Sequence, residues 1–191
     1  MKKFNGFESK IMGEFEQLPV GGYVCEIKNA EVIQNRNGGE RLELAIDIAE
    51  GDQRGYYTQL YKEDTREDKR WRGKFVLFLP KDDGSEKDGW AKNRFNNLVG
   101  CLEDANDGYH WDWDEKKLRG KKIALVFRRE QYNKGDGSGT GWTVKPFKCI
   151  TIGNCRDGKW GKYDDKLLPN AAPAGGPQFG EISDDGELPW L

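Results

Sequence analysis

A mainly β fold, built as a barrel of five to six strands, is predicted by three features of the 191-residue chain. Alternating apolar and polar residues dominate its pattern. The chain is punctuated by 25 glycines and 7 prolines, which mark many turns and leave little room for long helices. Only one stretch carries apolar residues at sustained helical spacing, and it falls between the third and fourth strands. Aromatic residues make up 12% of the chain and hydrophobic residues 36%, enough for a core, so the sequence does not read as disordered. The length suits one compact domain with tails.

The elements follow in order. Leu18-Pro19-Val20-Gly21-Gly22 reads as a turn that opens the first strand. In that strand Tyr23, Cys25 and Ile27 alternate with polar or smaller neighbours, and the parity shifts to Ala30 and Val32, which predicts a bulge near Asn29. Asn35-Arg36-Asn37-Gly38-Gly39 is a hairpin turn. The second strand sets Leu42, Leu44, Ile46 and Ile48 on one face against Arg41, Glu43 and Asp47 on the other. After Glu50-Gly51-Asp52 a third strand is expected over 55–62, with Leu60 inward and Tyr57, Gln59 and Tyr61 outward. Phe75-Val76-Leu77-Phe78-Leu79, stopped by Pro80, fits strand or helix by pattern, and its length favours strand.

The helix spans about 89–106. Ala91, Phe95, Leu98, Val99 and Leu102 share one face, and Asn106-Asp107-Gly108 ends it. Strands are then expected over 122–132 and 142–152, joined by a flexible loop from Asn133 to Gly141. That loop lacks the Gly-Lys-Ser/Thr ending of a phosphate loop and lies between strands, so it reads as a hairpin connection. This order is the outline of an OB-fold barrel, with a β-sandwich of equal strand count as the alternative. Residues 1–168 form the domain. Residues 169–191 read as a disordered acidic tail, rich in Pro, Gly and Ala.

Several chemistries lack their residues. His110 is the only histidine, which excludes His-rich metal sites. Cys25, Cys101, Cys149 and Cys155 lack the C-x2-C spacing of zinc ribbons and read as buried thiols. No cofactor is implied. Acid pairs such as Asp82-Asp83, Asp112 with Asp114, and Asp164-Asp165 have no converging partners, so a nuclease is the weaker reading. No apolar run reaches the roughly 18 residues of a membrane span. The first residues lack the apolar core of a signal peptide, so a reducing cytoplasm is expected.

Charge and aromatic patterning point to nucleic acid. The tail carries four of the 33 acids and no base, leaving 29 acids against 31 Lys and Arg in residues 1–168. Lys69, Arg70, Arg72 and Lys74 surround Trp71 without an acid among them. Arg128, Arg129, Tyr132 and Lys134, with Trp142, Lys145, Phe147 and Lys148, repeat the theme on one hairpin. Cations track a phosphate backbone and aromatic rings stack on bases. Tyr57 and Tyr61 are expected to join that surface. The last residues, Asp184, Asp185, Gly186, Glu187, Leu188, Pro189, Trp190 and Leu191, make a portable ligand for a partner with a basic rim and an apolar pocket.

Two sets of residues carry a resemblance. Acids followed by Pro and an aromatic at the C-terminus are similar to the tip of bacterial single-strand-binding proteins, which usually end in Pro-Phe, whereas Trp190-Leu191 stands here. The body resembles a family of uncharacterised phage and prophage proteins. The similar stretches are Leu18-Pro19 to Tyr23, Gly38-Gly39-Glu40-Arg41-Leu42, Trp111-Asp112-Trp113-Asp114 through Lys121, and Val144-Lys145-Pro146-Phe147-Lys148. The resemblance implies a phage single-stranded DNA-binding protein of replication or recombination. It would be non-enzymatic, act in the host cytoplasm and recruit replication or recombination proteins through its tip. A homo-oligomer is compatible with it. The alternatives are an adaptor or inhibitor that binds only protein and, less favoured, a metal-dependent nuclease.

Overall fold

The computed structural model describes residues 17–35, 38–135 and 137–169. Among them, strands β1 (Gly21–Gln34), β2 (Glu40–Ile48), β3 (Lys74–Phe78), β4 (Lys122–Asn133) and β5 (Thr140–Ile150) form one antiparallel sheet in the order β3-β2-β1-β4-β5. Helix α1 (Tyr56–Glu63) lies between β2 and β3, α2 (Glu86–Ala105) between β3 and β4, and α3 (Ile152–Arg156) follows β5. A 3-10 turn spans Glu115–Leu118. The sheet does not close: β3 and β5 are its edges, which touch without pairing as neighbours.

The β1–β2 hairpin follows its pattern. Its register shifts between Ile27 and Asn29, where the parity of the apolar residues changes. Leu42, Leu44, Ile46 and Ile48 are all buried, and they meet Ile27, Phe75, Leu77, Leu125 and Phe127 in one core. The core face of α2 completes it with Phe95, Leu98 and Leu102. Ser85 caps α2 by accepting from the Asp88 backbone N–H at 3.1 Å. At the other end the Asn106 side chain bonds Leu102 and Lys122 backbone groups, which fixes the helix to the start of β4.

The third strand is not where it was expected. Residues 55–62 coil into α1, and the run Phe75–Phe78 supplies β3. The cause is tertiary. Asp47, expected on the solvent face of β2, is buried. Its carboxylate accepts from the backbone N–H groups of Ile48 and Tyr57, each at 2.9 Å, and from the Thr58 hydroxyl at 2.5 Å. It thereby satisfies N-terminal donors of α1, which has no side-chain cap of its own. Tyr57 turns into the core, where Gly73 leaves room for it: a Cβ on Gly73 would stand 2.6 Å from the Tyr57 ring.

A strap follows α3. Trp160 lies on Gly21 and Gly22, so close that a Cβ on Gly22 would stand 2.5 Å from its indole nitrogen. That nitrogen donates to the Cys155 carbonyl at 3.1 Å. Beyond it, the Lys166 backbone donates to Arg129 and accepts from Gln131 on β4, past the point where β1 stops pairing. Gly21-Gly22 is thus part of β1 and the seat of Trp160, as well as the end of a turn.

Candidate nucleic-acid interface

Two surfaces carry the expected residues, and they differ in how their cations are used. The first is the loop after α1. Arg72 stands 3.6 Å from the Asp64 carboxylate, Arg66 forms a 2.6 Å pair with the same group, and Lys74 pairs with Glu43. The Arg66 hydrogen bond holds the Asp64 carboxyl well below the usual carboxylate range. Lys69 lies over the Tyr61 ring at 4.6 Å, and Arg70 is exposed and makes no ion pair among the described residues. Trp71 is half-buried: its indole N–H donates to the Ile46 and Gly73 carbonyls at 3.1 and 2.9 Å, and its ring packs on Tyr61 and the core edge. It fastens the entry of β3. Tyr57, expected at the surface, is a core residue because α1 is a helix; Tyr61 is exposed.

The second surface is the β4–β5 hairpin. Its register pairs Arg128 with Lys145 and Tyr132 with Gly141, and Arg129 with Val144 and Gln131 with Trp142. Directly opposed residues share a face and successive residues alternate. The hairpin therefore divides the expected site: Arg128, Tyr132 and Lys145 stand on one face, Arg129 and Trp142 on the other. Arg129 lies 5.3 Å over the Trp142 ring and is held at 2.5 Å by Asp165 of the strap. The exposed Tyr132 ring covers Gly141. Lys134 and Lys145 are exposed and make no ion pair among the described residues.

Phe147 is where this surface concentrates. Arg128 stands 4.6 Å and Lys148 5.8 Å from its ring centroid, and Tyr163 packs against it at 5.3 Å. From α2, the Arg94 guanidinium donates to the Phe147 carbonyl at 2.9 Å and lies 4.8 Å over Trp90. Asn97 donates to the Cys149 carbonyl at 3.1 Å. The edge of β5 is thus covered by α2 side chains. Burial pulls the Arg94 pKa down, and the neighbouring Arg128 charge adds to that effect. Glu130 stands 3.4 Å from Arg128, and no carboxylate among the described residues forms an ion pair with Arg94 or Lys148.

Trp90, Arg94 and Tyr163 were absent from the sequence-based site. Trp90, Arg94, Asn97 and Cys101 lie at i, i+4, i+7 and i+11, a second stripe beside the core stripe of α2. That spacing was the available signal. The tip, Asp184 to Leu191, lies outside the described residues.

The four cysteines are free and buried. Among the described residues no three His, Cys, Asp or Glu side chains gather in a metal-binding group, and no helix is long and apolar enough to cross a membrane. In comparisons with known proteins, no family model matches the chain and no curated protein is significantly similar to it.

Proposed function

We propose that the chain is a non-enzymatic single-stranded DNA-binding protein that holds the strand without sequence preference along the β5 side of the sheet. The observation that carries this reading is the cluster at Phe147. Arg94, Arg128 and Lys148 gather around aromatic groups, and among the described residues Glu130 is the one carboxylate that forms an ion pair with any of them. Such a surface neutralises phosphates and offers ring faces for stacking, the two terms of sequence-independent single-strand binding. The fold reading that accompanies it is an OB-type barrel left partly open. Its support is the sheet order, the touching β3 and β5 edges, and the helix between β3 and β4.

The resemblance adds a setting: phage replication or recombination, in the host cytoplasm, with the C-terminal tip recruiting partner proteins. The paired cations around Asp64 favour the rival reading for that part of the surface, a protein-binding adaptor without DNA contact. Titration of the full chain with oligo-dT at rising salt decides. Quenched tryptophan emission and an affinity that falls with salt are expected; absent binding at low salt would refute the proposal.

A further inference from the structure

The second stripe of α2 and the edge of β5 enclose more than a surface. A cleft of about 260 Å³ opens between β3, α2 and β5, lined by Leu77, Trp90, Asn93, Arg94, Asn97, Lys148 and Cys149. Its lining is mostly apolar, with one arginine, one lysine and two asparagines, and no acid. Arg94 is fixed there by two contacts, the Phe147 carbonyl and the Trp90 ring. A guanidinium has five N–H donors, and the described residues give this one a single hydrogen bond and no carboxylate. It is half-buried, beside Arg128, and no carboxylate among the described residues compensates its charge.

An arginine without a carboxylate partner among the described residues, held over a tryptophan ring at the mouth of an apolar cleft, suits one kind of guest: an anion attached to a flat apolar ring. We propose that this cleft takes one nucleotide of a bound single strand, its base against the Trp90–Arg94 pair and its phosphate near Arg94 and Lys148. The inference rests on the single-strand reading above and places an anchor within it that neither charged loop supplies. Bases stack on arginine planes as well as on aromatic rings. A cleft between a helix and a strand edge admits a base only when it is unpaired, so duplex is excluded from it. Asn93, exposed at the rim, is the remaining side-chain amide that can meet a base edge, because the Asn97 amide is engaged with Cys149.

The test uses the full chain and fluorescent oligo-dT, with duplex of the same length as the comparison. Lys148→Glu is the cleanest variant, since the Lys148 side chain makes no hydrogen bond or ion pair among the described residues. It should weaken single-strand binding at least tenfold at low salt and leave the melting temperature unchanged. It should also flatten the log K against log salt slope by about 0.7 for the lost phosphate contact. Arg94→Gln should weaken binding similarly, with Arg94→Lys recovering part of it. Oligonucleotides carrying 5-iodouracil should photo-cross-link to Trp90. If the wild type binds while Lys148→Glu and Arg94→Gln stay within twofold of it, or if cross-links map only to Trp71, the pocket is overturned and the single-strand reading stands. If Lys148→Glu binds more tightly, the cleft belongs to an acidic competitor such as the chain's own tip, and the nucleotide assignment fails. If the wild type does not bind at all, the single-strand reading falls first and the pocket with it.

Discussion

Replacing Asp47 by Ala tests the reasoning behind the largest departure from the sequence pattern. The Asp47 carboxylate is buried and receives the Ile48 and Tyr57 backbone N–H groups and the Thr58 hydroxyl. Alanine leaves two buried N–H groups without an acceptor, each worth about 1–3 kcal/mol when unsatisfied. The half-buried Thr58 hydroxyl can turn to another partner, so the expected loss is about 2–6 kcal/mol. For a domain of this size 1 kcal/mol moves the melting temperature by about 2–4 °C, which puts the shift at about 4–24 °C. Both N–H groups bond the same oxygen, Oδ1, so Asp47→Asn, which keeps that acceptor, should lose much less. The assay is thermal and urea unfolding by circular dichroism, together with limited proteolysis between Ile48 and Gly73. An Asp47→Ala protein within about 1 kcal/mol of the wild type, with no new cleavage there, would refute the claim that this carboxylate makes residues 56–63 a helix.

Three further expectations can be checked on the same protein. Gly22→Ala puts a Cβ 2.5 Å from the Trp160 indole nitrogen, so it should cost about 1–3 kcal/mol by overpacking and speed amide exchange across residues 157–168; unchanged exchange would mean that Trp160 does not seat the strap. Burial raises the Cys149 and Cys101 thiols, to about 12 and about 11, and Cys25 likewise, so the native protein should resist a disulfide reagent at pH 8 that modifies all four cysteines in urea. The unfolded chain releases these thiol protons near pH 9 while the folded chain keeps them, so stability should fall as pH rises above 9; a flat profile between pH 9 and 11 would contradict this. Removal of residues 170–191, which carry no periodic apolar pattern, should leave the melting temperature within about 2 °C, as differential scanning calorimetry can read.

The sheet was legible where one face of a strand is buried and the other is wet. Leu42, Leu44, Ile46 and Ile48 declare β2 by themselves, and the parity change at Asn29 marks a real register shift. Helix α2 was legible for the same reason at its own period. Residues 55–62 were not. Tyr, Thr and Leu at those positions suit a strand locally, and eight residues are too few to separate a period of 2 from one of 3.6. What decides between them is Asp47, ten residues before Tyr57 in the chain and adjacent to it only once β2 has formed. The Gly21-Gly22 pair is a similar case. A turn explains it from sequence alone, and its second role depends on a tryptophan 138 residues away from Gly22 that no local pattern connects to it.

The candidate site shows a different limit, because a count of cations says nothing about which of them are already neutralised. The segment Lys69–Lys74 sets four cations in six residues, yet Arg72 and Lys74 stand against Asp64 and Glu43, acids that local sequence places beside them only in part. Lys145 lies in a less charged stretch and has no carboxylate within ion-pair distance among the described residues. A paired cation must give up its carboxylate before it meets a phosphate, so it releases little counterion on binding. An unpaired one releases it in full, about 0.7 in the salt slope of a single strand. Arg72→Ala should therefore leave the slope of log K against log salt for oligo-dT nearly unchanged, and Lys145→Ala should lower it by about 0.7, although both remove one exposed charge. Equal slopes for the two variants would show that pairing does not rank these cations, and the strand would then have to be sought on both surfaces.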